Sequence, residues 1–157
     1  MDTIAIIGSR GFGDNDQVVR FVAKLAAKYP DCRVVSGAAK GPDSYGALAA
    51  RNHGLSTLEY IPTKLESGRF GITCWSRNAD GSTREKFLLG TLYHSYGAAA
   101  YARNEMIVKA ARVVVAFWDG ESRGTKNSLD IARAFNRQSF VYKPRSAAAI
   151  QAARREV

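Results

Sequence analysis

Residues 3–11 read Thr3-Ile4-Ala5-Ile6-Ile7-Gly8-Ser9-Arg10-Gly11, and this run decides the fold. It is short, nearly all apolar and rich in β-branched side chains, and it stops at a glycine. Such a strand is buried on both faces, as in a parallel sheet covered by helices. Val18, Phe21, Val22, Leu25, Ala26 and Tyr29 then recur at helical spacing and stop at Pro30. Cys32-Arg33-Val34-Val35-Ser36 reads as a second strand. Gly41-Pro42-Asp43 opens a helix, with proline in the first turn and a carboxylate where the helix dipole favours one. Its inner face continues through Tyr45, Leu48, Ala49 and Asn52 to Gly54. Leu55 to Ile61 gives a third strand, closed by Pro62.

The rhythm breaks over residues 63–96, which hold scattered glycines, mixed charge and aromatics. That is too long for an ordinary connection and predicts an inserted excursion or lid. A helix is predicted from about Gly97 to Ala111 and a strand over Arg112-Val113-Val114-Val115-Ala116-Phe117-Trp118. A helix from Thr125 to Asn136 follows, with Ser128, Ile131, Ala132 and Phe135 inward, then a fifth strand over Ser139-Phe140-Val141-Tyr142. Strand–helix alternation argues for α/β architecture, a Rossmann-like doubly wound parallel sheet of about five strands in the order 3-2-1-4-5. Residues 1–145 make one domain, and the Ala-rich 146–157 stretch is expected to be a terminal helix or tail. Ligands bind such sheets beyond the carboxyl ends of the strands, near the switch point between strands 1 and 4.

The chain has 157 residues, 46% hydrophobic and 24% charged, which excludes a disordered segment or a small disulfide scaffold. No apolar run approaches a membrane span, and the start lacks the basic region of a signal peptide. Cys32 and Cys74 have no metal-type spacing, so no metal and no cofactor is assigned, and the expected location is cytoplasmic. Net charge is +9, and most of the excess falls in residues 98–157. A basic face suits phosphorylated ligands or nucleic acid, and equally a solvated surface.

Three glycine-rich turns should meet on one edge of the sheet. Gly120-Glu121-Ser122-Arg123-Gly124-Thr125 has the glycines, hydroxyls and helix start that a phosphate cradle needs, without being a P-loop; a capped turn with Arg123 in solvent fits it too. Arg10 offers a bidentate fork to an anion, or an ion pair to Asp14 or Asp16. Asp43 suits a ribose hydroxyl or simply the helix start. Arg103 suits the cleft or a surface pair with Glu105. Trp75, Tyr93, His94 and Tyr96 suit base stacking or a small core of their own.

Four segments together resemble the SLOG superfamily in its YspA-like branch. They are Ile6-Ile7-Gly8-Ser9-Arg10-Gly11-Phe12, Ser36-Gly37-Ala38-Ala39-Lys40-Gly41-Pro42-Asp43, Arg103-Asn104-Glu105-Met106 and Asp119-Gly120-Glu121-Ser122-Arg123-Gly124-Thr125. The resemblance implies a Rossmann-like fold related to DNA-processing proteins and to phosphoribohydrolases. It implies one cleft for a nucleotide or nucleotide-derived molecule, lined by Gly8, Ser9, Arg10, Gly37, Asp43, Arg103, Asn104, Gly120, Gly124 and Thr125. Ser122 and Arg123 join them as phosphate donors. It further implies a homo-oligomer. The phosphoribohydrolases carry a Pro-Gly-Gly-x-Gly-Thr loop and a Glu three residues after its Thr. Here the loop reads Trp118-Asp119-Gly120-Glu121 and that position is Ser128. Arg103 matches their catalytic arginine, and Glu105 or Glu121 is left to replace the missing carboxylate. The branch usually has glycine where this chain has Ala100, and its connection ahead of that helix is shorter. Three expectations therefore stand: binding of a phosphorylated nucleotide, hydrolysis of a nucleoside monophosphate with Arg103 and Glu105 catalytic, and single-stranded nucleic-acid binding.

Overall fold

The computed structural model describes residues 2–145; the helix or tail expected over 146–157 lies outside the described residues. The chain runs β1 (Thr3–Gly8), α1 (Asn15–Lys28), β2 (Arg33–Ser36), α2 (Pro42–Asn52), β3 (Ser56–Lys64), β4 (Phe70–Arg77), β5 (Thr83–Tyr93), α3 (Tyr96–Ala110), β6 (Val113–Phe117), α4 (Arg123–Ala134) and β7 (Gln138–Tyr142). All seven strands join one sheet in the order β5-β4-β3-β2-β1-β6-β7. The five strands β3, β2, β1, β6 and β7 are parallel, in the order that the sequence predicts. The architecture is Rossmann-like.

The alternation of side chains along β1 builds both core layers at once. Ile6 faces one layer with Val18, Val22 and Leu25 of α1 and Ala49 and Ala50 of α2. Ala5 and Ile7 face the other with Ile107 and Val108 of α3 and Ala132 of α4. Each fully buried valine or isoleucine contributes roughly 1.5–3 kcal/mol by leaving water.

The 63–96 segment is neither a loose excursion nor a lid. It is an antiparallel hairpin that widens the sheet, with β4 laid along the whole of β3 and β5 along β4. Pro62 does not close β3, which runs on to Lys64. The last β2 partner on β3 is Glu59, so beyond it one edge of β3 has no neighbour and a missing N–H is tolerated there.

Tyr45 and Leu48 do not face inward; they are 42% and 50% exposed. The buried face of α2 is instead made of small residues, Gly46, Ala47, Ala49 and Ala50. The helix lies so close to β1 that a Cβ on Gly46 would sit 2.7 Å from Ile6 Cγ2. Phe135 and Tyr29 are also exposed, because each follows its helix's last turn and leaves the packed stripe. Among the described residues no helix is long and apolar enough to cross a membrane.

Close packing of α2 predicts opposite outcomes at neighbouring positions. Gly46→Val overpacks the α2–β1 contact and should cost about 1–3 kcal/mol in a urea titration. Leu48→Ala, on the outer face, should cost less than about 1 kcal/mol.

Candidate functional site

Four segments converge beyond the carboxyl ends of β1, β2 and β6. Asp43 stands in the first turn of α2, behind Pro42, and is 5% exposed. Its Oδ1 accepts the Gly8 amide at 3.1 Å and its Oδ2 the Gly37 amide at 3.0 Å. Both oxygens are thus engaged by backbone. Burial pushes its pKa up to about 6, against the opposing pull of the Arg103 guanidinium and of the two amides.

Arg103 lies on the buried stripe of α3 with Ala99 and Ile107. Its Nη1 donates to the Gly37 carbonyl and, at 3.4 Å, to that of Tyr60; its Nε donates to Asn104 Oδ1 at 3.3 Å. Glu105, two residues on and on the opposite face of the helix, is exposed and pairs with Lys109 at 3.0 Å. The surface pair Arg103–Glu105 does not form, and Glu105 stands off the site.

The β6–α4 turn is held by its own acid. Asp119 Oδ1 accepts the amides of Glu121 and Ser122, each at 2.9 Å, and the Ser9 hydroxyl at 3.1 Å. These bonds hold its pKa below the usual carboxylate range. Two amides of the expected phosphate cradle are therefore occupied internally. Ser122 caps α4, accepting from the Thr125 amide at 3.4 Å, and the Ser9 and Thr125 hydroxyls stand 3.4 Å apart. The first two α4 amides, at Arg123 and Gly124, are the ones a helix start leaves without internal partners. A Cβ on Gly124 would meet nothing within 4 Å, so this end opens to solvent. Asp14 and Asp16 are bound by Arg145 and Arg20, so neither is given to Arg10, which is exposed.

These groups line a cleft of about 350 Å³. Of the residues expected there, Gly8, Arg10, Asp43, Arg103, Asn104, Ser122, Gly124 and Thr125 line it. Ser9 is buried just behind, and Gly37 lies under Arg103, where a Cβ would meet the guanidinium carbon at 2.7 Å. Gly120, Glu121 and Arg123 are exposed or outside the lining. Tyr96 joins the cleft, and Tyr101, Asp119 and Ser128 do so unannounced. Helical spacing carried a signal for part of this: Tyr96, Ala100 and Arg103 fall at i, i+4 and i+7. Trp75 does not join; it lies 5.7 Å from Arg51 on β4. A larger hollow of about 820 Å³ lies between α1 and β7, lined by Phe21, Phe140 and Tyr142. It holds none of the cleft residues and lies where the described chain stops.

Residues 3–64 match the family model YAcAr, the YspA and cpYpsA-related SLOG family. That segment belongs to the SLOG family. It carries the Gly8–Arg10 turn and the Gly37–Asp43 turn. No curated protein matches the chain. Two solved structures of DNA processing protein A share the fold. One is from Helicobacter pylori, studied for its single-stranded DNA binding mode, with a TM-score of 0.64 and 18% identity. The other is from Streptococcus pneumoniae, with a TM-score of 0.64 and 21% identity. The alignments cover 93% and 94% of this chain, but 67% and 52% of those chains. At such identities the likeness to them is one of fold.

The buried Asp43 gives a pH signature. Its native pKa lies above its ordinary value of 3.8, so the folded state holds this proton more tightly. Its contribution to stability is complete at low pH and declines as pH rises through the window from 3.8 to about 6, by roughly 3 kcal/mol. Carbon-13 titration of the Asp43 carboxyl should show a midpoint near 6 rather than below 4.

Proposed function

We propose that the protein binds a phosphorylated nucleotide or nucleotide-derived molecule in the cleft at the carboxyl ends of β1, β2 and β6. The observation that carries this is the meeting of Arg10, the open start of α4 and two tyrosines around one cavity of about 350 Å³. A helix start with a nearby guanidinium suits a phosphate. The Ser122 and Thr125 hydroxyls add donors. Tyr96 and Tyr101 are 44% and 47% exposed, so each ring has a face for a base to stack on.

The arrangement supports binding more directly than hydrolysis. Arg103 is turned into backbone carbonyls, Ser128 stands where the phosphoribohydrolases carry glutamate, and both Asp43 oxygens hold amides. A second reading, single-stranded DNA, has its own support in the net charge of +9 and in the single-stranded DNA binding of the Helicobacter protein that shares the fold.

Thermal melts with AMP, ADP and a single-stranded oligonucleotide separate these readings. A nucleotide at 100 times its Kd should stabilise the protein by about 2.7 kcal/mol. Arg10→Ala should weaken that binding roughly tenfold or more, with the melting point of the free protein unchanged. Retained affinity in the variant would remove the phosphate from this turn. Free base in the same incubations would point to hydrolysis. Oligonucleotide binding that falls with salt, with a log–log slope of about −0.7 per phosphate contacted, would favour DNA.

A further inference from the structure

Asp119 is a fixed carboxylate with one oxygen in use and one to spare. Its Oδ1 takes three donors, from Ser9, Glu121 and Ser122, and these bonds lock the side-chain orientation. Among the described residues no bond to Oδ2 is made. Oδ2 points toward the β1 turn, 3.5 Å from where a Cβ on Gly11 would lie. Asp119 and Gly11 both line the cleft, beside Arg10 and Gly124. A bound ligand therefore meets an acceptor here. An anion is repelled by it, whereas a hydroxyl group can donate to it.

We propose, resting on the nucleotide reading above, that Asp119 Oδ2 accepts the ribose hydroxyls of the ligand and makes the site selective for ribonucleotides with a free 2′,3′-diol. The phosphate then lies on Arg10 and on the Arg123 and Gly124 amides, donors that Asp119 Oδ1 does not use. Glycine at position 11 keeps the approach to Oδ2 narrow but open, since a methyl group there would sit against the oxygen. The same chemistry sets the site against DNA, which has no free diol within the chain. The turn itself needs only Oδ1, so the second oxygen is the part that structure alone does not require.

Isothermal titration with AMP and ADP, against their 2′,3′-dideoxy forms and IMP, tests this assignment. The wild-type protein should bind the ribose forms roughly tenfold or more tightly than the dideoxy forms. Asp119→Asn keeps an amide oxygen for the turn, so its melting point should stay within about 2 °C. It should bind AMP or ADP more weakly and discriminate against dideoxy forms threefold or less. IMP should bind like AMP. Equal wild-type binding of ribose and dideoxy forms would overturn the role of Asp119 and leave the nucleotide site standing. Tenfold weaker IMP with no penalty for the dideoxy forms would assign Oδ2 to a base amino group and overturn the diol. Binding of none of these nucleotides would overturn this proposal together with the reading it rests on.

Discussion

Asp43 accepts the Gly8 amide on one oxygen and the Gly37 amide on the other, while Arg103 donates to the Gly37 carbonyl from α3. The ends of β1 and β2 are thereby tied to the start of α2 in one helix layer and to the middle of α3 in the other. Without these partners, buried backbone groups at the strand ends would go unsatisfied, at about 1–3 kcal/mol each. The glycines follow from the same knot. A Cβ on Gly8 would lie 2.5 Å from the Phe117 carbonyl and from Pro42, and one on Gly37 would strike the Arg103 guanidinium. Their absence of side chain is a packing requirement of the strand ends before it is a property of any ligand.

The β6–α4 turn obeys a related rule. A glycine-rich turn before a helix exposes amides, and an anion nearby will take them. Here Asp119 supplies that anion from within the chain, so the turn is stable without a guest. The cleft consequently carries mixed charge, with Arg10 and Arg103 set against Asp43 and Asp119.

The hairpin of β4 and β5 shapes the site from outside. It returns the chain to α3 at Tyr96, whose ring meets Phe70 of β4 edge-on at 6.1 Å between centroids. That contact braces the first turn of the helix that presents Tyr96, Tyr101 and Arg103 to the cleft. The extra strands therefore act through the placement of α3 and do not cover the opening.

The local sequence determined the parallel core. Uniform apolar strands, helical spacing in α1 and the Pro42-Asp43 helix start are properties of neighbouring residues, and they are enough to give strand order and the edge where three turns meet. The glycine-rich turns and the family resemblance of their segments pointed to Gly8, Arg10, Asp43, Arg103 and Thr125 as residues of that edge. Other features belonged to the tertiary structure alone. The face that α2 buries was decided by how close Ile6 lets it approach, and the pairing of β4 and β5 by partners far along the chain. The same holds for the roles at the site. Whether Asp43 and Arg103 turn toward a ligand or toward the strand ends, and which acid takes the Glu121 and Ser122 amides, depends on buried donors and acceptors that meet only once the layers close. Periodicity reports which face a residue occupies; the hydrogen-bond partner waiting on that face is set by distance in space.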